Sequence, residues 1–159
     1  KTAKLLENED IRFNILGDGQ TYPETRRLAD DLSLKNIDFM ARVGYDGLPE
    51  HIKKADVCLG IFGRTPKAKR VIPNKVYEYA AMGKPVITAD TPAIRELFND
   101  KDMVLIEPTP ENLASAILKL KDSPALRESI SEKAYGKVRS LANPEVLGME
   151  LKGIIQKTV

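Results

Sequence analysis

Apolar and polar positions alternate through Ile11, Arg12, Phe13, Asn14 and Ile15, and Leu16 then leads into Gly17-Asp18-Gly19. Alternation with period two that runs into glycines predicts a strand ending in a flexible loop. From Tyr22 onward the period changes: Leu28, Ala29 and Leu32 recur at helical spacing. Residues 37–40 read as a second short strand, and Leu48, Ile52 and Ala55 mark one face of a second helix. A third, mostly buried strand is predicted over residues 56–62, entering Gly63 and a loop. A helix over 74–82 follows, with Val76, Tyr79 and Ala80 inward and Gly83 as its stop. Residues 85–89 and 103–106 supply the fourth and fifth strands.

Later helices are marked by their caps. Thr91-Pro92, Thr109-Pro110 and Ser123-Pro124 each set a hydroxyl before a proline, and Asn143-Pro144 opens a last amphipathic helix. Their expected inner faces are Ile94, Leu97 and Phe98; then Leu113, Ala116, Ile117 and Leu120; then Leu126, Ile130 and Ala134; and lastly Leu147, Leu151 and Ile154. Strands alternating with helices specify an α/β fold, a Rossmann-like parallel sheet with helices on both faces. Residues 1–9 look like the tail of a helix, with Ala3, Leu5 and Leu6 apolar. A helix at the start of a doubly wound unit implies an earlier strand, so the sheet is expected to lack its first strand. Residues 1–142 are expected to form one domain, and 143–159 a helix packing on it or toward another domain.

Composition narrows the class. Of 159 residues, 42% are hydrophobic and 30% charged, which suits a folded soluble domain and argues against disorder. No apolar run approaches the length that crosses a bilayer. One cysteine, Cys58, excludes an internal disulfide and suits a reducing compartment. Net charge is only +2, yet Arg64, Lys67, Lys69, Arg70 and Lys75 occur within twelve residues that contain no acid. Nucleic-acid binders spread positive charge over a face or a long groove, so a nucleic-acid role is disfavoured. The run reads either as a solvated loop or as a seat for a phosphate-bearing ligand.

Candidate chemistry gathers around that run. Gly17 and Gly19 permit a tight turn and the close approach of a phosphate to backbone amides, although the same residues also make a plain turn. They complete neither a dinucleotide fingerprint nor a Walker loop, and no acidic ribose partner follows at the usual distance, which argues against a nicotinamide enzyme. Lys75, in the first turn of a helix, is electrostatically unfavourable unless an anion is present. Its ammonium and the free amides can hold a diphosphate together. Glu78, one turn on, can accept both hydroxyl protons of a ribose. Each residue alone also reads as a surface group; their combination with the basic loop and Gly83-Lys84-Pro85-Val86 favours a site. Glu96, early in the helix capped by Thr91, reads equally as a favourable charge at a helix end and as a ligand contact. His51 reads as exposed or half-packed, Cys58 as a small core residue, and Tyr77, Tyr79 and Met82 as helix packing. A second domain is expected to contribute the acceptor side and any general base.

At these residues the chain resembles the C-terminal, nucleotide-sugar-binding domain of GT-B-fold glycosyltransferases of the group 1 (family 4) type. Ile15-Leu16-Gly17-Asp18-Gly19 looks like that domain's second-strand motif, Asn36-Ile37-Asp38-Phe39-Met40 like the third, and Ala55-Asp56-Val57-Cys58-Leu59 like the fourth. Residues 78–87, Glu78 to Ile87, are similar to the family's most recognisable signature, and Pro92-Ala93-Ile94-Arg95-Glu96-Leu97 resembles the segment after it. Two positions depart from the pattern. Arg70 stands eight residues before Glu78, where another glutamate is common, and Ala41 replaces a glycine. Pro73-Asn74-Lys75 looks like a variant found in some members.

The resemblance implies the donor-binding half of a retaining glycosyltransferase, which moves a sugar from a UDP-, GDP- or ADP-sugar to an acceptor hydroxyl. Gly17, Gly19, Arg70, Asn74 and Glu96 are expected to line the donor site with Lys75 and Glu78, the last two nearest the chemistry and Glu78 on the ribose. No metal and no resident cofactor are expected, the leaving-group charge being met by basic side chains and helix amides. The acceptor-binding N-terminal domain is expected to be a separate part of a cytoplasmic enzyme, with peripheral membrane contact open to the intact protein, and this fragment alone is expected to be inactive. Two further readings stand beside it. One is a Rossmann-like module that binds a nucleotide or phosphate without reaction; the other, less favoured, is a nucleotide-sugar epimerase domain.

Overall fold

β4 (Val86–Ala89) is buried at every residue and carries the architecture. In the computed structural model, which describes residues 1–158, it lies between β3 (Cys58–Leu59) and β5 (Val104–Ile106) in a parallel sheet. Cys58 stands opposite Val86, and Ile87 opposite Val104. A second parallel sheet pairs β1 (Phe13–Leu16) with β2 (Ile37–Met40), Phe13 opposite Ile37 and Leu16 opposite Met40. The helices between and after the strands are α1 (Thr2–Leu5), α2 (Tyr22–Asp31), α3 (Leu48–Lys54), α4 (Asn74–Ala81), α5 (Pro92–Leu97), α6 (Pro110–Lys121), α7 (Pro124–Leu141) and α8 (Pro144–Thr158).

Successive residues of a strand point to opposite faces, and β4 uses both. Val86 joins Val76 and Ala80 of α4, Ile94 and Phe98 at α5, and Ala134 and Val138 of α7. Ile87 joins Leu6 beside α1, Ala114, Ile117 and Leu120 of α6, and Ile130 of α7. Helices therefore cover both faces, as the alternation of elements predicts. The two sheets meet through side chains: Ile11 and Phe13 pack on the same cluster as Val57 and Leu59. Asn36, buried beside β2, donates its Nδ2 to the Ala3 and Leu6 carbonyls at 2.9 and 3.3 Å and so ties the end of α1 to the smaller sheet.

The cap-then-proline pattern is realised at all three hydroxyls. Thr91, Thr109 and Ser123 accept from the N–H groups of Ile94, Asn112 and Leu126 at 3.2, 3.1 and 3.3 Å, and Asn143 accepts from Val146 at 3.0 Å. Gly83, in the left-handed region at φ 64°, follows the end of α4.

Two expectations differ from the fold. The third strand was expected over 56–62, but the ladder is confined to Cys58 and Leu59. Beyond it single backbone bonds continue, Gly60 N–H to the Ile87 carbonyl at 2.8 Å and Ala89 N–H to the Ile61 carbonyl at 3.0 Å, and the Thr88 hydroxyl joins them, accepting from the Ile61 N–H at 3.2 Å. Of the helically spaced Leu28, Ala29 and Leu32 on α2, Leu28 is 42% exposed and Ala29 is the residue this helix buries. Leu147, Leu151 and Ile154, expected as the inner face of α8, are all at least half exposed. No helix among the described residues is long and apolar enough to cross a membrane.

Gly60 permits the closest approach in the larger sheet. A Cβ there would meet Thr88 Oγ1 at 2.4 Å, Thr88 Cβ at 2.6 Å and Val76 Cγ2 at 3.3 Å. Gly60→Ala should therefore destabilise the domain by about 1–3 kcal/mol through overpacking. Gly136 lies inside α7 with nothing within 4 Å of its Cβ position, so Gly136→Ala should stabilise by about 0.5–1 kcal/mol. Urea unfolding of both variants checks the pair, and equal shifts in midpoint would contradict the packing assigned to Gly60.

Candidate functional site

Parallel α/β sheets bind ligands beyond the carboxyl ends of their strands. Gly17 leaves β1 at that edge with φ 124°, a backbone state that side-chain-bearing residues rarely adopt, and its N–H donates to the Met40 carbonyl at 3.3 Å. Nothing lies within 4 Å of a Cβ built at Gly17 or Gly19, so backbone there is open to a ligand. A cavity of about 240 Å³ adjoins it, lined by Leu16, Gly17, Arg42, Val43, Tyr45 and Leu48. Arg42, Val43 and Tyr45 are absent from the sequence-based site. The signal that could have found them is positional: they follow β2, so they sit at the same strand edge as Gly17.

α4 begins at the same edge behind β3, and like α2 it starts without a side-chain cap, unlike α5, α6 and α7. Pro73, with extended backbone, occupies the N-cap and no side chain caps the helix. The first N–H groups of a helix have no intrahelical carbonyl; in α4 the Val76 N–H donates to the Pro73 carbonyl at 2.9 Å, and those of Asn74 and Lys75 are left for an outside acceptor. Asn74 and Lys75 occupy that first turn and are exposed. Although much of its surface is open, Lys75 is desolvated enough that its pKa is held below the ordinary lysine range, with the Cys58 thiol acting weakly the other way. Among the described residues no carboxylate forms an ion pair with Lys75. Glu78 follows one turn later, half-buried, and its carboxylate likewise has no ion-pair or hydrogen-bond partner among the described residues. An unpaired cation and an unpaired carboxylate thus stand one helical turn apart beside a row of free amides.

Other expected site residues fall elsewhere. Arg70 is exposed at the end of a short 3-10 turn, residues 68–70, and donates its Nε to the Pro66 carbonyl at 3.2 Å. It makes no bonded contact with Lys75 or Glu78. Glu96 lies in the last turn of α5, not the first, which removes the role of a charge at the positive helix end. It faces Tyr77 closely enough to help burial raise that phenol's pKa. Neighbouring Arg95 is held twice, with two bonds of 2.7 Å to Asp90 and bonds of 2.5 and 3.2 Å to Asp100. Both carboxyl groups are pulled below the usual carboxylate range by these bonds.

Cys58 is buried, and burial pushes its thiol up to about 11 despite Lys84 and Lys75 nearby, so it is neither a thiolate nor a nucleophile at neutral pH. Tyr79 rises to about 12 for the same leading reason. His51 is half-buried on α3, in keeping with a structural residue. Among the described residues no group of three or more His, Cys, Asp or Glu side chains is placed to hold a metal. A larger cavity, about 380 Å³, lies at the opposite end of the strands between Lys53, Lys84 and Arg127. Its cations already have employment: Lys84 donates to the Lys53 and Ala55 carbonyls at 2.6 and 2.8 Å, and Arg127 to the Leu120 and Lys121 carbonyls. Gly17, Lys75 and Glu78 lie at the other, carboxyl, ends of the strands.

Proteins similar to this chain include glycosyltransferases. An α-D-kanosaminyltransferase of Streptomyces kanamyceticus is 26% identical over 152 residues, covering 93% of this chain and 38% of that protein. Among solved structures, Anabaena HepE in complex with UDP superposes with a TM-score of 0.83 at 16% identity, over 98% of this chain and 44% of its own. The C-terminal domain of a glycosyl transferase group 1 family protein from Francisella tularensis gives a TM-score of 0.63 at 14% identity, over 91% of this chain and 94% of its own. The chain therefore spans less than half the length of the kanosaminyltransferase and of HepE, and nearly all of the isolated C-terminal domain. The GT-B domain fold expected from the sequence motifs is the fold observed. A family profile described as glycosyl transferase-like matches residues 2–145, and with that match over most of its length the chain belongs to the glycosyl transferase-like family.

Proposed function

We propose that this chain is the donor-binding part of a retaining glycosyltransferase, which moves a sugar from a nucleoside diphosphate to an acceptor hydroxyl. The observation that carries the reading is the start of α4, where uncapped amides, Lys75 and Glu78 converge without internal partners. Diphosphate oxygens would accept from the Asn74 and Lys75 amides and from the Lys75 ammonium, in the manner of anions at helix N-termini. Glu78 would accept from the ribose hydroxyls. The cavity beside Gly17 has the position and size for the planar base, with Tyr45 and Arg42 as walls. The UDP held by HepE supports this class of ligand.

The chemistry follows from charge. As the bond from sugar to diphosphate breaks, negative charge builds on the departing phosphate oxygen, and fixed donors around it lower that barrier. Lys75 and the α4 amides would supply those donors, and Gly17 and Gly19 would let backbone come near the sugar or phosphates. Residues 143–158 would lie toward an N-terminal acceptor domain, which supplies the acceptor and any base. Without that domain, binding but no transfer is the expected behaviour. The unpaired buried thiol of Cys58 favours a cytoplasmic setting, with peripheral membrane contact through other parts of the intact enzyme.

Calorimetry with UDP, GDP, ADP and inorganic pyrophosphate tests the division of labour. Glu78→Ala should weaken the preferred nucleoside diphosphate by about tenfold to hundredfold, as for loss of charged hydrogen bonds of about 1.5–3 kcal/mol, and leave pyrophosphate nearly unchanged. Equal losses for the two ligands would remove the ribose role. A pH series tests Lys75. A bound anion favours the ammonium, so affinity should fall as pH rises above neutrality through the depressed lysine pKa and below the ordinary value of about 10.4. Lys75→Met should bind more weakly at pH 7 and lose that decline; an unchanged profile in the variant would assign the decline to another group.

A further inference from the structure

The loop between β3 and α4 holds four cations in one fixed shape. Ala68 is buried and sits under Gly63, whose Cβ position is 3.2 Å from the Ala68 Cβ. Thr65 Oγ1 accepts from the Ala68 N–H at 3.2 Å, and the Lys69 and Arg70 N–H groups donate to the Thr65 and Lys67 carbonyls at 3.3 and 3.1 Å. Arg64 reaches out of the loop to the Pro108 carbonyl at 2.9 Å. Lys67, Lys69 and Arg70 are exposed, and among the described residues none takes part in an ion pair. Some cations elsewhere are ion-paired, as at Arg12–Asp38 and Lys121–Glu9. Like charges held together repel, and among the described residues no carboxylate forms an ion pair with those of this loop, although Arg64 and Arg70 donate to backbone carbonyls.

The loop's position says which anion it can meet. Its 3-10 turn packs on α5, which follows β4, and Arg64 is bonded to Pro108, which follows β5. The cavity beside Gly17 stands at the ends of β1 and β2, in the other sheet. A nucleoside diphosphate with its base in that cavity and its phosphates at α4 brings only its far end over β4 and β5. The cations of the loop therefore face what lies beyond the diphosphate. Acidic groups nearby do not neutralise them: Asp90 is occupied by Arg95, and Glu107 is a single exposed charge against four. Resting on the donor reading above, we infer that residues 63–71 bind a second anionic group, a carboxylate or phosphate monoester borne by the transferred sugar or by the acceptor.

Titration of the 159-residue chain with UDP-glucose against UDP-glucuronate, and GDP-mannose against GDP-mannuronate, tests this at low salt. A parallel arm adds glucose 6-phosphate to the chain saturated with UDP or GDP. A preference of tenfold or more for the acidic sugar nucleotide places the anion on the donor sugar. Binding of glucose 6-phosphate places it on the acceptor. In either case Lys67→Gln/Lys69→Gln should abolish the effect while leaving UDP or GDP affinity within about twofold, since neither lysine belongs to the α4 seat. Equal affinities within both pairs, together with no binding of glucose 6-phosphate, overturn the inference; so does a preference that the double variant keeps. Binding to phosphatidylserine vesicles that the double variant loses, with neither soluble effect, assigns the loop to a membrane surface and overturns it as well. If UDP, GDP and ADP all fail to bind, the donor reading falls, and glucose 6-phosphate on the unliganded chain then decides the loop by itself.

Discussion

The contact of Gly60 with Thr88 and Val76 sets the distance between β3, β4 and α4, and the candidate site is built on that distance. With no Cβ at Gly60, the Thr88 hydroxyl can reach across to both backbone groups of Ile61 while Val76 fills the space above. Thr88 is fully buried, so a hydroxyl without partners there would be costly. The backbone of Ile61 satisfies it. In return, Thr88 holds the chain straight past the end of the β3 ladder and delivers it to Gly63 and the basic loop. Val76 meanwhile fixes α4 by its first turn, so Asn74 and Lys75 come to the strand edge together with their free amides.

Charge is distributed about the sheet with the same economy. At the amino ends of the strands, Lys84 and Arg127 close the carbonyl ends of α3 and α6, where a cation is favoured by the helix dipole. Lys137 joins Asp102, a buried carboxylate that also accepts from the Asn99 N–H, and so fastens α7 to the turn before β5. These cations stabilise the fold. At the carboxyl ends Lys67, Lys69 and Lys75 make no ion pair among the described residues, and Arg70 makes only a local bond to the Pro66 carbonyl. Lys75 stands at the wrong end of a helix for its sign and is partly desolvated as well. An anion bound there would relieve both penalties at once.

Element types were legible because local signals agreed with one another. Hydroxyl–proline pairs named three helix starts, Gly83 named a helix end, and alternation named β1. Lengths were less legible where a side chain replaced a ladder bond, as Thr88 does at Ile61, since no periodicity encodes a partner twenty-seven residues away. Leu28 and the apolar residues of α8 show a different limit: helical spacing reports a stripe, but not whether another surface covers it. In the site, Lys75 and Glu78 could be read from their places on one helix. Arg42, Val43 and Tyr45 could not, because their relation to Gly17 exists only through the pairing of β1 with β2. Glu96 was misplaced along its helix because α5 stops at Leu97, where the chain turns extended at Phe98 and buries that ring.

The division of the strands into two sheets gives the candidate cleft its two ends. β1 and β2 end in glycine-rich backbone and a cavity with an aromatic wall, features that accept a flat group without asking for charge. β4 and β5 end beneath Arg64 and the fixed basic turn, which ask for charge and offer little apolar surface. α4 stands at the junction, where free amides and Lys75 can hold a diphosphate between the two. A ligand with a flat group, a doubly charged middle and a polar end satisfies all three environments in order, and reversing it would bury charge against Leu16 and Leu48 and leave the cations unmatched. On the donor reading, the fold would set the direction in which such a ligand lies as well as its charge.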